Sequence, residues 1–112
     1  MTGMTADELN AALVDFGDVL ELGISSGYPV GSYDLRIVLF SNVEAKSIAL
    51  VCQCISNLRI RQFGGGLTQF ITLRAEDVSA NQSDRVRLHI SDWDGDFEVD
   101  CLTASVEQMT DS

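Results

Sequence analysis

The sequence is poor in positive charge. Only 7 Lys and Arg stand against 17 Asp and Glu, a formal net charge of −10 on 112 residues. That imbalance argues against nucleic acid and anionic membrane as partners and favours cationic ones. Long apolar runs are also missing, since none approaches the roughly 20 residues that a membrane-spanning helix needs. The opening MTGMTADELN has no basic segment followed by an apolar one, so no signal peptide is expected. A single Pro against 9 Gly points to loops that use positive φ rather than rigid extended spacers. One histidine, His89, removes many catalytic schemes at once. The three cysteines are an odd number in apolar settings, the pattern of reduced thiols, and a cytoplasmic location is expected.

Hydrophobic residues make up 46% and charged residues 21%, the composition of a folded domain and not of a disordered acidic tail. A chain of this length fits one domain, residues 1–112, able to bury a core without staples. Residues 1–4 and 108–112 are expected to fray. Thr5 followed by Asp7 and Glu8 reads as a helix N-cap with an acidic first turn. Leu9, Leu13 and Phe16 fall near one helical face, which predicts a short helix over about 6–16 with Gly17 as its stop.

Beyond Gly17 the apolar period becomes two. Val19–Ile24 reads as a strand, closed by the turn-rich run Ser25-Ser26-Gly27-Tyr28-Pro29. Leu35, Ile37 and Leu39 alternate as a second strand with a buried face. After the turn Ser41–Glu44, the run Ile48–Cys52 is apolar on both faces and reads as a central strand. Leu58 and Ile60 alternate with Arg59 and Arg61, and one further strand is predicted from Thr68 to Leu73. Val86, Leu88 and Ile90 alternate with Arg85, Arg87 and His89. Asp94-Gly95 then reads as a two-residue turn of type I′ leading into Phe97, Val99 and Cys101. That turn places Ile90 opposite Val99, Leu88 opposite Cys101, His89 opposite Asp100 and Ser91 opposite Glu98. Apolar meets apolar and polar meets polar in one register. Six or seven closely spaced strands after one short N-terminal helix predict a mainly β fold, an antiparallel sandwich or open barrel. No internal repeat or linker divides the chain.

No catalytic or cofactor motif stands out, and no metal or cofactor is expected. Cys52-x-Cys54 on a strand would turn both thiols to one face, but structural zinc sites favour a tight turn, so core packing is the preferred reading. Asp92-x-Asp94-Gly95-Asp96 has carboxylates at alternate positions, yet the EF-hand places for Gly and Glu hold Phe97 and Thr103. Gly64-Gly65-Gly66 lacks the following helix and lysine of a phosphate cradle and reads as loop glycines. His89 opposite Asp100 resembles two-thirds of a triad, but no nucleophile elbow accompanies it. The pair is read as a surface cross-strand contact, and the chain as non-enzymatic.

Charge placement says more. Six of the seven basic residues are Arg, and Arg59, Arg61, Arg85 and Arg87 alternate along strands, where Glu98 and Asp100 can neutralise some of them. The acids gather toward the two ends: Asp7, Glu8, Asp15, Asp18 and Glu21, then Asp92, Asp94, Asp96, Glu98 and Asp100. Brought together they would form an anionic patch that steers a basic partner. Solubility alone is the competing explanation. The candidate partner-binding residues are Asp92, Asp94 and Asp96, with Trp93 as an aromatic anchor or, alternatively, as a cap on the core.

The stretch from Ile48 to Glu107 contains an apolar strand, then NLRIRQFGGG, then TQFITLRAEDVS, and ends in FEVDCLTASVE. In this pattern it resembles small uncharacterised bacterial domains, some of them grouped with immunity proteins of polymorphic toxins. The resemblance implies an all-β fold and a binding role in blocking a toxin, and it assigns no site residues. The expected function is a non-enzymatic acidic protein that occludes a basic protein partner. A self-assembling homodimer and a small-ligand binding module are the alternatives.

Overall fold

The computed structural model describes residues 3–27, 30–61, 63–70, 72–81 and 86–109. Among these, nine strands and one α-helix form two antiparallel sheets with a shared core. Helix α1 spans Ala6–Ala12 and is followed by β1 (Asp18–Ser26), β2 (Tyr33–Ser41), β3 (Lys46–Gln53), β4 (Ser56–Ile60) and β5 (Thr68–Gln69). Then come β6 (Leu73–Asp77), a 3-10 turn at Ser79–Asn81, β7 (Leu88–Asp92), β8 (Phe97–Cys101) and β9 (Thr103–Gln108). The first sheet has the order β5-β1-β2-β3-β9 and the second β4-β8-β7-β6. The sandwich alternative is the one adopted: the sheets stay open and no barrel closes.

Alternation decides which residues enter the core. Leu35, Ile37 and Leu39 on β2 and Ile48, Leu50 and Cys52 on β3 form one wall. Leu88, Ile90, Phe97, Val99 and Cys101 on the β7–β8 hairpin form the other. Each such aliphatic or aromatic side chain contributes about 1.5–3 kcal/mol by leaving water. Phe70 packs on Phe97 with ring centroids 4.9 Å apart and planes tilted by 31°. As its composition predicts, β3 lies inside its sheet, between β2 and β9.

Helix α1 begins as its sequence dictates. The Glu8 N–H donates to Thr5 Oγ1 at 3.1 Å and the Thr5 N–H donates to Glu8 Oε1 at 2.9 Å, a capping box. It ends four residues short of the expected last helical residue, 16, because the chain turns at Leu13 and Asp15 takes a left-handed φ of 68°. Leu13 and Phe16 are still buried, but from a turn and not from a helical face. Gly17 has another role: a Cβ there would stand 2.4 Å from the carbonyl oxygen of Phe70, whose N–H donates to Gly17 O at 2.8 Å.

Three further expectations need correction. The predicted strand Thr68–Leu73 is two strands in different sheets, β5 and β6, with the chain crossing the core edge at buried Phe70. Alternation persists through such a corner, so period alone does not reveal it; Ile71 lies outside the described residues. The expected frayed segments are partly anchored. Met4 N–H donates to Ala104 O at 2.8 Å, Gln108 pairs with Ile48, and Met109 N–H donates to Ser47 O at 3.3 Å. Finally, the β7 strand starts at Leu88 rather than Val86; Arg85, like Tyr28 and Pro29 of the expected turn, lies outside the described residues.

The sheet edges differ in how they are covered. The outer edge of β6 meets α1, where Asn10 bonds both backbone groups of Ala75. The outer edge of β9 meets Met4, which accepts from Val106 N–H through its sulfur at 3.1 Å. On β4 the ladder is interrupted between Ser56 and Arg59, with Asn57 at a φ of 53°. By contrast β1 is covered by β5 at Asp18 and Val19, and beyond a bulge at Leu20 its outer side has no strand neighbour among the described residues. No helix among the described residues is long and apolar enough to cross a membrane.

Candidate partner-binding surface

The β7–β8 hairpin carries the candidate residues, and its register is the one its sequence predicts. Leu88 pairs with Cys101, His89 with Asp100, Ile90 with Val99 and Ser91 with Glu98. The turn is different. A type I′ turn needs positive φ at both central residues, yet within the tip only Gly95 has it, at 73°. The Gly95 N–H donates to Asp92 O at 3.2 Å, so the tight turn runs from Asp92 to Gly95.

This turn separates the four candidates. Asp92 is 6% exposed, and its Oδ1 accepts the Phe97 N–H at 3.1 Å. Its carboxylate therefore closes the hairpin from the core side. The signal was present in the sequence: counting by twos from Leu88 through Ile90 puts Asp92 on the core side. Trp93, one residue on, points out and is 80% exposed, so it does not cap the core. Asp94 is exposed and Asp96 half-buried. Arg61 straps the tip to the end of β4, its N–H donating to Asp96 O at 2.7 Å and its guanidinium to Gly95 O at 3.3 Å. Asp94 and Trp93 are thus presented from a turn whose backbone is fixed at both ends. Two residues beyond Arg61, Phe63 is 54% exposed.

The outer face of the same hairpin carries a charged network. His89 Nδ1 lies 2.7 Å from Asp100 Oδ1, and His89 Nε2 lies 3.6 Å from Glu98 Oε1. Glu98 also pairs with Arg59 at 3.2 Å, and Asp100 Oδ2 accepts from Asn57 Nδ2 at 2.9 Å. Both ring nitrogens of His89 are turned to carboxylates, a cross-strand cluster of the kind its register implies. Of the other acidic group, Asp7 and Glu8 lie on α1, Asp15 in the turn after it, and Asp18 and Glu21 on β1 of the first sheet. There Asp18 is nearly buried and accepts from Gln69 Nε2 at 2.8 Å and from Asn42 Nδ2 at 3.0 Å, while Glu21 faces Arg36 at 3.7 Å.

Cys52 and Cys54 do not share a face. Strand β3 ends at Gln53, and Cys54 turns away at a φ of 54° with its N–H donating to Asp34 Oδ1 at 3.1 Å. Cys52 and Cys101 are buried in the core. Among the described residues no group of three or more His, Cys, Asp or Glu is arranged to hold a metal ion. Gly64, Gly65 and Gly66 all take positive φ in the loop between β4 and β5, as loop glycines do.

A cleft of about 740 Å³, which sequence reasoning did not find, opens beside α1. Buried Leu13, Phe16, Phe70 and Leu73 line it, with exposed Asp15 and Arg74. Its walls come from segments more than fifty residues apart, joined by the Gly17–Phe70 backbone contact, so no local pattern announces it.

In comparison with known proteins, no family model, no curated protein and no solved structure matches the chain.

Proposed function

We propose that the protein is a non-enzymatic binding protein of immunity or antitoxin type, which occludes a basic protein partner through the β7–β8 tip. The observation that carries this reading is Trp93, 80% exposed beside Asp94 on a turn held by Arg61. Leaving a tryptophan in water is unfavourable by its large apolar area, and such residues are the usual anchors of protein interfaces. Acidic neighbours and a net charge of −10 suit a cationic surface and would speed its encounter. The test is a pull-down from host lysate at low and moderate salt, with the wild-type chain beside Trp93→Ala and Asp94→Lys variants. A single basic protein, captured by the wild type, weakened by salt and lost with either variant, is the expected result. Recovery of the chain alone, or equal capture by all three, overturns the reading.

A second reading is a self-associating domain, and the open edge of β1 favours it. From Leu20 to Ser26 the outer side of this strand has no strand partner among the described residues, beside Leu20 and Ile24, which are 56% and 51% exposed. Such edges pair with other strands unless blocked. Light scattering across a concentration series decides it. A dimer that Ile24→Lys dissociates supports this reading, and a monomer at every concentration rejects it.

A further inference from the structure

Cys52 and Cys101 belong to different sheets, yet both are 0% exposed in one core cluster, and the Cys101 thiol is the chief neighbour that raises the Cys52 thiol. The backbone holds them together. The residues that follow each cysteine are bonded to one another, Leu102 N–H donating to Gln53 O at 3.0 Å. Leu102 is also the single residue between β8 and β9, so Cys101 is the last residue of one sheet before the chain enters the other. On its far side Arg87 N–H donates to Cys101 O at 3.0 Å. Cys52 is fixed in turn by pairing with Leu35 on β2 and Ala104 on β9. The two buried cysteines therefore stand at a corner where the sheets are already joined by backbone.

We propose that Cys52 and Cys101 are a disulfide-forming pair, whose oxidation by a low-molecular-weight disulfide ties the two sheets together. One cysteine, as thiolate, attacks the oxidant, forming a mixed disulfide and releasing one thiol. The second cysteine loses its proton and attacks the mixed disulfide, so that the protein S–S bond forms and a second thiol leaves. The protein gives up two electrons and two protons, and the oxidant is reduced to two thiols. Cys54 is the internal control, since it is turned off the strand and bonded through its backbone to Asp34.

Access sets the rate. The Cys101 thiol beside it, and then burial, hold the Cys52 thiol well above its ordinary value, so thiolate is scarce in the folded chain. The bond is accordingly expected to form readily during folding, before the core closes, and slowly afterwards.

The experiment refolds the wild-type chain and a Cys54→Ser variant from denaturant in reduced and oxidised glutathione, followed by non-reducing peptide mapping and thermal melting. Both proteins should become two hydrogens lighter, with one linked peptide pair carrying Cys52 and Cys101. Closing a loop of this length should raise the melting temperature by on the order of 10 °C. Cys101→Ala should abolish the link, and reduction should restore the lower melting temperature. A link through Cys54, linkage only between chains, free thiols at both positions, or a link that leaves the melting temperature unchanged overturns the proposal. The wild-type map decides the matter even if a variant does not fold.

Discussion

The side-chain amide of Asn10 exchanges two hydrogen bonds with the backbone of Ala75, Nδ2 donating to Ala75 O at 3.0 Å and Oδ1 accepting from Ala75 N–H at 2.7 Å. A residue on α1 thus completes the ladder on the outer edge of β6, where another strand would otherwise be needed. The device answers two requirements together. It satisfies half-buried backbone groups, and it blocks an edge that would recruit other chains.

Asn10→Ala removes both partners of Ala75, and it should lower stability by about 1–3 kcal/mol. Urea unfolding of the variant checks this. Asn10→Asp keeps an acceptor for the Ala75 N–H but sets an anion against the Ala75 carbonyl, so it should also destabilise the fold.

Asp92 and Trp93 are neighbours with opposite duties, and substitution should separate them. Asp92→Ala removes the acceptor of the Phe97 N–H and should cost about 1–3 kcal/mol in urea unfolding. Asp92→Asn keeps an oxygen in place and should cost less. Trp93→Ala, at an exposed position, should change stability by less than about 0.5 kcal/mol. A loss of partner capture by the Trp93 variant could then be assigned to binding.

Gly17→Ala should be among the most damaging small substitutions. The new methyl would lie 2.4 Å from Phe70 O, and the contact is backbone to backbone, so neither side yields cheaply. A loss of about 2 kcal/mol or more is expected, read as a lower midpoint in urea. A neutral outcome would mean that the turn and the crossing strand do not approach this closely.

Stability should also fall on the alkaline side. The Cys52 thiol is raised by the neighbouring Cys101 thiol and by burial, so the folded chain holds this proton more tightly than the unfolded one. Its contribution is fully present below the ordinary thiol pKa of about 8.5, and it is lost as pH rises from there toward the folded-state value. Melting curves from pH 7 upward should show a decline that is smaller in Cys52→Ala, measured relative to that variant's own stability at pH 7.

What the sequence determined by itself was whatever depends on near neighbours. Thr5 and Glu8 form their capping box three residues apart, and the pairing of His89 with Asp100 follows from alternation on two strands joined by a short turn. The mainly β class follows from the same period of two. Even Asp92 was readable, because its parity with Leu88 and Ile90 points it inward. What only tertiary structure decided were the corners and the contacts across them. Phe70 divides what reads as one strand, Cys52 meets Cys101 and not Cys54, and Asn10 reaches Ala75. The physical reason is that alternation fixes which face a side chain takes but not which sheet the strand joins. That choice is made by the packing of a whole core, where residues distant in sequence compete for the same interior.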